Sequence, residues 1–218
     1  MKRLSAEELR AAQEATLAAP RMRYSLLARA LFRGMDIVYG RRRTLSKFKV
    51  LELIARVPYQ AWEQVAYVAI THTAKFPDFA RRVFDRVRES RLQQDNEQWH
   101  LLILEELIDK RGIREGFFWY WLVPQAIAFL YYQIVWLLYV VRPVRSYQLN
   151  ADFEDHAEHE YMEFVREHPE LEAEPFESVF RADYGPFASL GDVFRQIGYD
   201  ERVHKEESLT RLVNARFA

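Results

Sequence analysis

Residues 95–100 read DNEQWH and residues 199–204 read YDERVH, and these two stretches decide the fold. Each contains the spacing Glu-x-x-His, which occurs nowhere else in the chain. On an α-helix, side chains three residues apart lie about 60° from each other around the axis, so both can reach one metal ion. Two such helices, together with one glutamate from each of two others, make the dinuclear site of ferritin-like bundles. The predicted pairs are Glu97 with His100 and Glu201 with His204.

Two further glutamates are candidates for the remaining positions. Glu52 is a lone acid in the apolar run VLELI, which is unexpected on a solvated helix face. Glu154 has a more ambiguous setting, because acids and histidines surround it in FEDHAEHEY. A single Glu-x-x-His is common by chance, but two on separate long helices, with Glu-bearing helices before and between them, form a much rarer pattern. The pattern favours two iron ions, because carboxylates bridge ferric ions and imidazoles leave positions open for dioxygen.

The chain as a whole is predicted to be all-α, with a ferritin-like long four-helix bundle and two extra helices that form a membrane-binding face. Seven glycines in 218 residues and long stretches of 3.6-residue periodicity support this fold class. Residues 1–20 are predicted to be an N-terminal extension, with Ser5 and Glu8 as a capping box, and 21–218 a single domain. The predicted helices cover 5–18, 22–39, 44–74, 77–110, 114–142, 144–168 and 188–214.

Composition limits the possible partners and compartments. The chain has no cysteine, which excludes disulfides, thiolate metal sites and iron–sulfur clusters. The net charge of −1 gives no indication of nucleic-acid binding. The N-terminal residues lack the apolar core of a signal peptide, and none is expected.

Two segments suggest a membrane surface. Residues 21–50 carry nine Lys or Arg and one acid, which is typical of a basic amphipathic helix on anionic lipid. Its alternative is a solvated face against the bundle. Residues 117–141 have no formal charge and are dense in aromatic residues, which favour the interface between headgroups and acyl chains. The preferred interpretation is a monotopic helix in one leaflet; a membrane span and a buried core helix are the alternatives.

Several motifs resemble the alternative oxidases, and most closely their plastid terminal oxidase branch. The similar pieces occur in the family's order and extend from about residue 36 to residue 207. They are VLELIARVPYQAW, NEQWHLLILEEL, RPVRSY, FEDHAEHEY and GDVFRQIGYDERVH.

The resemblance implies roles for individual residues. It makes the six candidates the metal ligands, although Leu53 stands where the family has threonine. Asn96, Asp200 and His156 are implied to support the ligands. Tyr161, two helical turns after Glu154, matches a family tyrosine that acts beside the metals; without the resemblance, packing alone would explain it.

A quinol site is also implied by the resemblance. Lys47 stands where the family has arginine, and lysine lacks the bidentate fork of a guanidinium. Glu160 stands where threonine is usual, which changes the polarity of the pocket. The other implied quinol-site residues are Leu51, Ala55, Arg33 and Asp36.

The resemblance therefore implies a quinol oxidase that reduces dioxygen to water without proton pumping. Its expected partners are ubiquinol or plastoquinol, dioxygen, the lipid bilayer surface and a second copy in a homodimer. A bacterial inner membrane or a thylakoid-type membrane is the expected location. A di-iron hydroxylase acting on a quinone precursor uses the same ligands and is the alternative enzyme, and a non-catalytic helical bundle is the third hypothesis.

Overall fold

The computed structural model describes residues 2–217, and no β-strand occurs among them. A 3₁₀ turn at Pro169–Glu172 follows the seventh α-helix, and a π-helical turn at Phe118–Leu122 precedes the sixth. The α-helices are α1 Ala6–Ala18, α2 Leu26–Tyr39, α3 Leu45–Ala55, α4 Val57–Ile70, α5 Pro77–Lys110, α6 Val123–Val141, α7 Pro143–Glu167, α8 Arg181–Tyr184 and α9 Leu190–Thr210.

The central bundle consists of α5, α7, α9 and the continuous pair α3–α4. Helix α5 packs against α3 and α4, whereas α7 packs along α9. The interior is largely apolar, and a group of fully buried acids and histidines lies at its centre. This arrangement confirms the predicted all-α, ferritin-like bundle.

Helix α1 lies across α7 and α9. The predicted capping box is present, because the Ser5 hydroxyl accepts from the Glu8 N–H and the Glu8 carboxylate accepts from the Ser5 N–H. Leu9 is fully buried against the bundle, and the Ala12 carbonyl accepts a hydrogen bond of 2.7 Å from Arg202 on α9. The extension boundary at residue 20 falls between α1 and α2, and the division into extension and domain stays a prediction.

The helix predicted over 44–74 is wrong in two respects, because it is broken between α3 and α4 and ends at Ile70. Pro58 has no N–H to donate to the carbonyl of Ile54, and its ring crowds that carbonyl. Arg56, at the junction, keeps the helical angles φ −61° and ψ −27°. The chain therefore bends without forming a loop, and Glu52 and Tyr59 remain on two helices that follow each other directly.

Helices α2 and α6 begin later than predicted. Residues 20–25, directly before α2, are not helical. The backbone N–H groups of Met22 and Ser25 donate instead to the α7 acids Asp155 and Asp152. Before α6 the chain forms the π-helical turn, in which the Val123 N–H bonds to the Phe118 carbonyl. Pro124 follows at once and cannot donate a hydrogen bond itself, which is the setting in which helical register changes.

Helices α2 and α6 both lie on the outside of the bundle, and the end of α2 meets the π-helical turn before α6. Helix α6 packs on α4 and α7, and the Tyr39 hydroxyl at the end of α2 donates to the Trp119 carbonyl at 2.9 Å. The segment Phe118–Val141 is long and apolar enough to cross a membrane, and only 17% of its most apolar stretch is buried in the protein. The face formed by α2 and α6 is called the α2–α6 face below.

Candidate metal centre

Six ionisable side chains meet at the centre of the bundle, and each has no solvent-exposed surface. Such groups are almost never fully buried unless they are paired or bind a metal. Each main helix of the bundle contributes: one glutamate comes from α3, one from α7, and a Glu-x-x-His pair from each of α5 and α9. They are Glu52, Glu97, His100, Glu154, Glu201 and His204, the six residues predicted from the sequence.

The six residues form two overlapping groups. The first contains Glu52 and His100, the second Glu154 and His204, and both share Glu97 and Glu201. Within each group, one potential ligand atom per residue lies within 4.8 Å of all the others. Two shared carboxylates between two histidine-containing groups are the arrangement expected for two bridged metal ions.

The histidine rings point into the cluster through their Nδ1 atoms. His100 Nδ1 lies 3.2 Å from Glu52 Oε2 and 3.1 Å from Glu201 Oε1. His204 Nδ1 lies 2.7 Å from Glu97 Oε1 and 3.6 Å from Glu201 Oε2. On both helices, therefore, Nδ1 is the ring atom directed at the carboxylates.

The donor set fits a cation. Among residues 2–217, both oxygens of Glu97 and Glu201, one oxygen of Glu154 and both ring nitrogens of His204 are buried without a hydrogen bond of suitable geometry. Unpartnered buried polar atoms are costly, by about 1–3 kcal/mol each. Their convergence on one place supplies the oxygen and imidazole ligands that iron binds.

Electrostatics at the centre point the same way. Burial raises the pKa of Glu97 and of Glu154 well above the ordinary value, and the neighbouring Glu201 raises both further. Burial also acts to raise the pKa of Glu201, but the nearby imidazoles of His100 and His204 lower it to about 2. So many carboxylates can all ionise only with positive charge between them, which bound metal ions provide.

Asp200 and Asn96 lie beside the outer nitrogen of the His100 ring and contact each other. Asp200 Oδ2 is 3.3 Å from His100 Nε2, the ring nitrogen that faces away from the cluster. Asn96 donates to the same oxygen at 3.1 Å, and Gln196 donates to the other at 2.8 Å. A carboxylate on the outer nitrogen of a ligand histidine fixes its tautomer and ring orientation.

His156 does not contact the cluster, contrary to the prediction that it supports the ligands. It lies two residues after Glu154, a rotation of about 200° around α7, so it faces the opposite side of the helix. Its ring stacks on Phe32 at 3.9 Å and its Nδ1 lies 3.0 Å from Arg21. Burial lowers its pKa to about 4. His156 thus joins α7 to α2.

Tyr161 contacts the cluster directly. Its hydroxyl donates to Glu52 Oε1, and its ring stacks on Phe48 at a centroid distance of 4.3 Å. Burial raises the pKa of Tyr161, and the neighbouring Glu52 raises it further. The phenol therefore stays protonated and acts as a hydrogen-bond donor.

The predicted quinol-site residues are distributed over two environments. Lys47 is buried and its ammonium donates to Asp36 at 2.7 Å and to the Gly40 carbonyl at 2.9 Å. Leu51 and Ala55 are buried in the core, whereas Arg33 is exposed on α2. The structure therefore brings Lys47 and Asp36 together but leaves Arg33 outside that ion pair.

Glu160 is held by two arginines. Arg21 Nη2 lies 2.7 Å and Arg43 Nε 3.1 Å from its carboxylate. Burial acts to raise the pKa of Glu160, but His156 and the arginines lower it overall. The acid that replaces threonine is therefore balanced by local cations and remains ionised.

An apolar groove of about 310 Å³ opens on the α2–α6 face. Helix α2 forms most of its wall, with one residue each from α3 and α6. It reaches the core at Ile54, two residues after Glu52. The lining residues are Leu27, Ala30, Leu31, Gly34, Met35, Val38, Tyr39, Ile54 and Ile127.

Three residues at the centre were missed by the sequence analysis. Tyr59 donates to Glu154 Oε1 at 2.6 Å, and Asn150 donates to the Tyr59 hydroxyl at 2.9 Å. Tyr59 lies seven residues after Glu52, and Asn150 lies four residues before Glu154. Both are spacings that place side chains on one side of a helix, so they could have revealed these residues. Tyr184, which donates to Asp200 at 2.9 Å, comes from the short α8, and no spacing connects it to the cluster.

A four-helix bundle with four buried glutamates and two histidines around one centre defines a dinuclear carboxylate metal protein. The sequence profile of the alternative oxidases matches residues 19–211. The chain therefore belongs to the alternative oxidase family, whose members are di-iron proteins.

The chain is also 32% identical over 140 residues to a protein of Arabidopsis thaliana, ubiquinol oxidase 4, chloroplastic/chromoplastic. The aligned part is 64% of this chain and 36% of that relative, so the chain spans about a third of the relative's length. This similarity confirms the resemblance to the plastid terminal oxidase branch.

Proposed function

We propose that this protein is a membrane-surface quinol oxidase that transfers electrons from quinol to dioxygen and forms water. The observation that carries the proposal is the pair of buried ligand groups sharing Glu97 and Glu201 in a chain of the alternative oxidase family. The relative named as a ubiquinol oxidase supports quinol as the electron donor.

Two iron ions would be held by the six clustered residues. Glu52 and His100 would belong to one iron position, Glu154 and His204 to the other, and Glu97 and Glu201 would be shared by both. The iron pair, when bound, supplies the redox chemistry that reduces dioxygen. The protein holds the ligands, excludes bulk water from the centre and, through Asp200, keeps the His100 ring in position.

The balanced reaction consumes two quinols for each dioxygen. Each quinol releases two electrons and two protons, and four of each convert one dioxygen to two waters. Tyr161, hydrogen-bonded to Glu52, is placed to lend one of these four electrons and its phenolic proton within the site, and quinol then returns both to the tyrosine. The proposal includes no proton pumping.

Quinol would enter through the apolar groove on the α2–α6 face. The groove is lined almost entirely by apolar side chains, and Ile54 in its wall belongs to α3, the helix that carries Glu52. Lys47 and Asp36, which form an ion pair between α3 and α2, are the proposed polar contacts for a quinol oxygen. Leu51, Ala55 and Arg33 remain proposed parts of this site. The groove would thus place a lipid-soluble substrate against the helix that carries Glu52.

The membrane-binding surface is proposed to be the same α2–α6 face. Large apolar side chains are exposed along both helices, including Ile37 at 83% and Phe129 at 67%. Helix α6 packs along α4 and α7 and exposes its other side, and we propose that this side enters one leaflet without crossing the bilayer. We expect a homodimer on a bacterial inner or thylakoid-type membrane.

The decisive experiment measures oxygen uptake by detergent-purified protein with a reduced short-chain quinol, together with iron content. The proposal expects about two irons per chain, two quinols oxidised per dioxygen, and no peroxide. Two irons without quinol-dependent uptake would favour the hydroxylase, which would instead place oxygen in a quinone precursor. A protein that binds no iron under reducing, iron-replete conditions would leave only a non-catalytic bundle.

A further inference from the structure

Two tyrosines occupy equivalent places around the centre. Tyr59 lies seven residues after Glu52, and Tyr161 lies seven residues after Glu154. Each phenol donates to the glutamate of the other segment: Tyr59 to Glu154 and Tyr161 to Glu52. The centre therefore has an approximate twofold arrangement, in which each non-paired glutamate is held by a tyrosine from across the site.

The direction of the Tyr59 hydrogen bond is fixed by its neighbours. The Asn150 amide nitrogen, which can only donate, contacts the Tyr59 oxygen at 2.9 Å and the Ser208 oxygen at 3.0 Å. The single phenolic hydrogen of Tyr59 is thus left for Glu154 Oε1, at 2.6 Å. This chain links α4, α7 and α9, and all four of its members are buried.

The hydrogen bond selects one oxygen of Glu154 and leaves the other. Oε1 accepts from Tyr59, whereas Oε2 has no hydrogen-bond partner among residues 2–217. The second oxygen is therefore the one directed at the ligand group that contains His204. The ring of Tyr59 also meets the His204 ring edge-on, at a centroid distance of 5.4 Å. Tyr59 thus contacts both residues that distinguish this metal position from the other.

We propose that Tyr59 is a positioning residue for the metal position of Glu154 and His204, as Tyr161 is for the position of Glu52 and His100. The assignment rests on the proposed ligand set. Loss of the Tyr59 hydroxyl leaves Glu154 Oε1 and the Asn150 amide without this partner and lets the carboxylate rotate. Removing such an outer partner typically weakens metal binding by about 10–100-fold.

The experiment titrates the metal-depleted full chain with ⁵⁷Fe(II) under anaerobic conditions and records iron content and Mössbauer spectra. His100→Gln and His204→Gln first identify the spectral component of each position. Tyr59→Phe should weaken the binding of one iron by about 10–100-fold. It should also disturb the Mössbauer component that His204→Gln alters. Tyr161→Phe should disturb the component altered by His100→Gln.

Controls separate positioning from general loss of structure. Tyr147→Phe removes a buried phenol that bonds to Tyr139, and it should leave both components unchanged. Asn150→Ala keeps the Tyr59 hydroxyl but removes the amide that fixes the direction of its hydrogen bond. It should therefore disturb the His204 component less than Tyr59→Phe does. Helix content and melting of the metal-free variants should stay close to those of the wild type.

The assignment is wrong if Tyr59→Phe binds both irons as the wild type does, or if it disturbs the His100 component. If Tyr59→Phe does not fold, Asn150→Ala decides alone, and an unchanged spectrum in that variant overturns the assignment. A wild-type chain that binds no iron would instead overturn the proposed function and, with it, the role of Tyr59.

Discussion

The metal centre and the α2–α6 face use their unusual residues in opposite ways. At the centre, ionisable side chains are fully buried inside the protein. On the face, apolar side chains such as Leu26, Ile37 and Val141 are more than half exposed. Both arrangements are unfavourable in water alone, and each indicates a missing partner. We propose a pair of cations as the partner of the centre, and lipid as the partner of the face.

The difference predicts that the two regions respond separately to mutation. A change at the centre should remove metal and turnover but leave membrane binding intact. A change on the face should remove membrane binding but leave the metal in place.

Glu201→Ala should have the largest effect, because Glu201 belongs to both ligand groups. We expect loss of both irons and a fall of quinol-dependent oxygen uptake to background, with vesicle binding retained. Iron analysis, oxygen uptake and circular dichroism check this. Glu206→Ala, on an exposed site of the same helix, is the matched control and should behave as the wild type. Full iron loading of Glu201→Ala would contradict the ligand set.

Leu130→Glu with Ile134→Glu should separate the face from the centre. The two side chains are 61% and 48% exposed, and inserting each into the interface is worth about 1.5–3 kcal/mol. Binding to anionic vesicles should therefore fall by about 100-fold, with unchanged iron content, as measured by flotation. Val179→Glu changes a residue that is 76% exposed but lies outside the face, and it should bind vesicles normally. Equal binding by the double variant would remove α6 from the membrane surface.

Gly34→Phe tests the apolar groove on the α2–α6 face. A side chain at Gly34 meets no atom within 4 Å of its Cβ, so the helix accepts it and the ring occupies the groove. We expect the KM for quinol to rise by about tenfold, equivalent to the loss of about 1.4 kcal/mol of binding. Iron content should not change. Gly34→Ala, which adds only a methyl group, should keep the wild-type KM, and an equal KM in both variants would place the quinol elsewhere.

Lys47→Leu should have the smallest effect of the four. The substitution removes the ion pair with Asp36, and a partly exposed pair of this kind is worth about 0.2–1 kcal/mol. If the ammonium also contacts a quinol oxygen, the KM should rise by up to about fivefold while iron content stays constant. Steady-state kinetics over a range of quinol concentrations measures the KM, and an unchanged KM would exclude Lys47 from the quinol site.

The sequence predicts the centre better than it predicts the face. Glu-x-x-His spacing identifies Glu97, His100, Glu201 and His204 as a cluster because helical geometry is regular over three residues. The same regularity would have identified Tyr59 at seven residues from Glu52. It also shows why His156, two residues from Glu154, lies on the wrong side of α7. Local periodicity is thus sufficient wherever the site is built by long helices.

Features that depend on irregular backbone or distant contacts were not predictable in this way. Tyr184 reaches Asp200 from the four-residue helix α8, whose position depends on tertiary packing. The bend at Pro58 and the π-helical turn before Pro124 alter helical register inside predicted helices. The later start of α2 depends on Asp152 and Asp155, more than a hundred residues away.

The position of α1 has a consequence for synthesis of the chain. Its hydrogen-bond partners on α7 and α9 lie far along the sequence: Met162 is 149 residues after Gln13, and Arg202 is 190 residues after Ala12. At about 5–20 residues per second, a ribosome needs about 10–40 s to make that intervening stretch. During that time the apolar side of α1 has no partner from its own chain. Helix α1 can therefore dock only after its partners on α7 and α9 have been made.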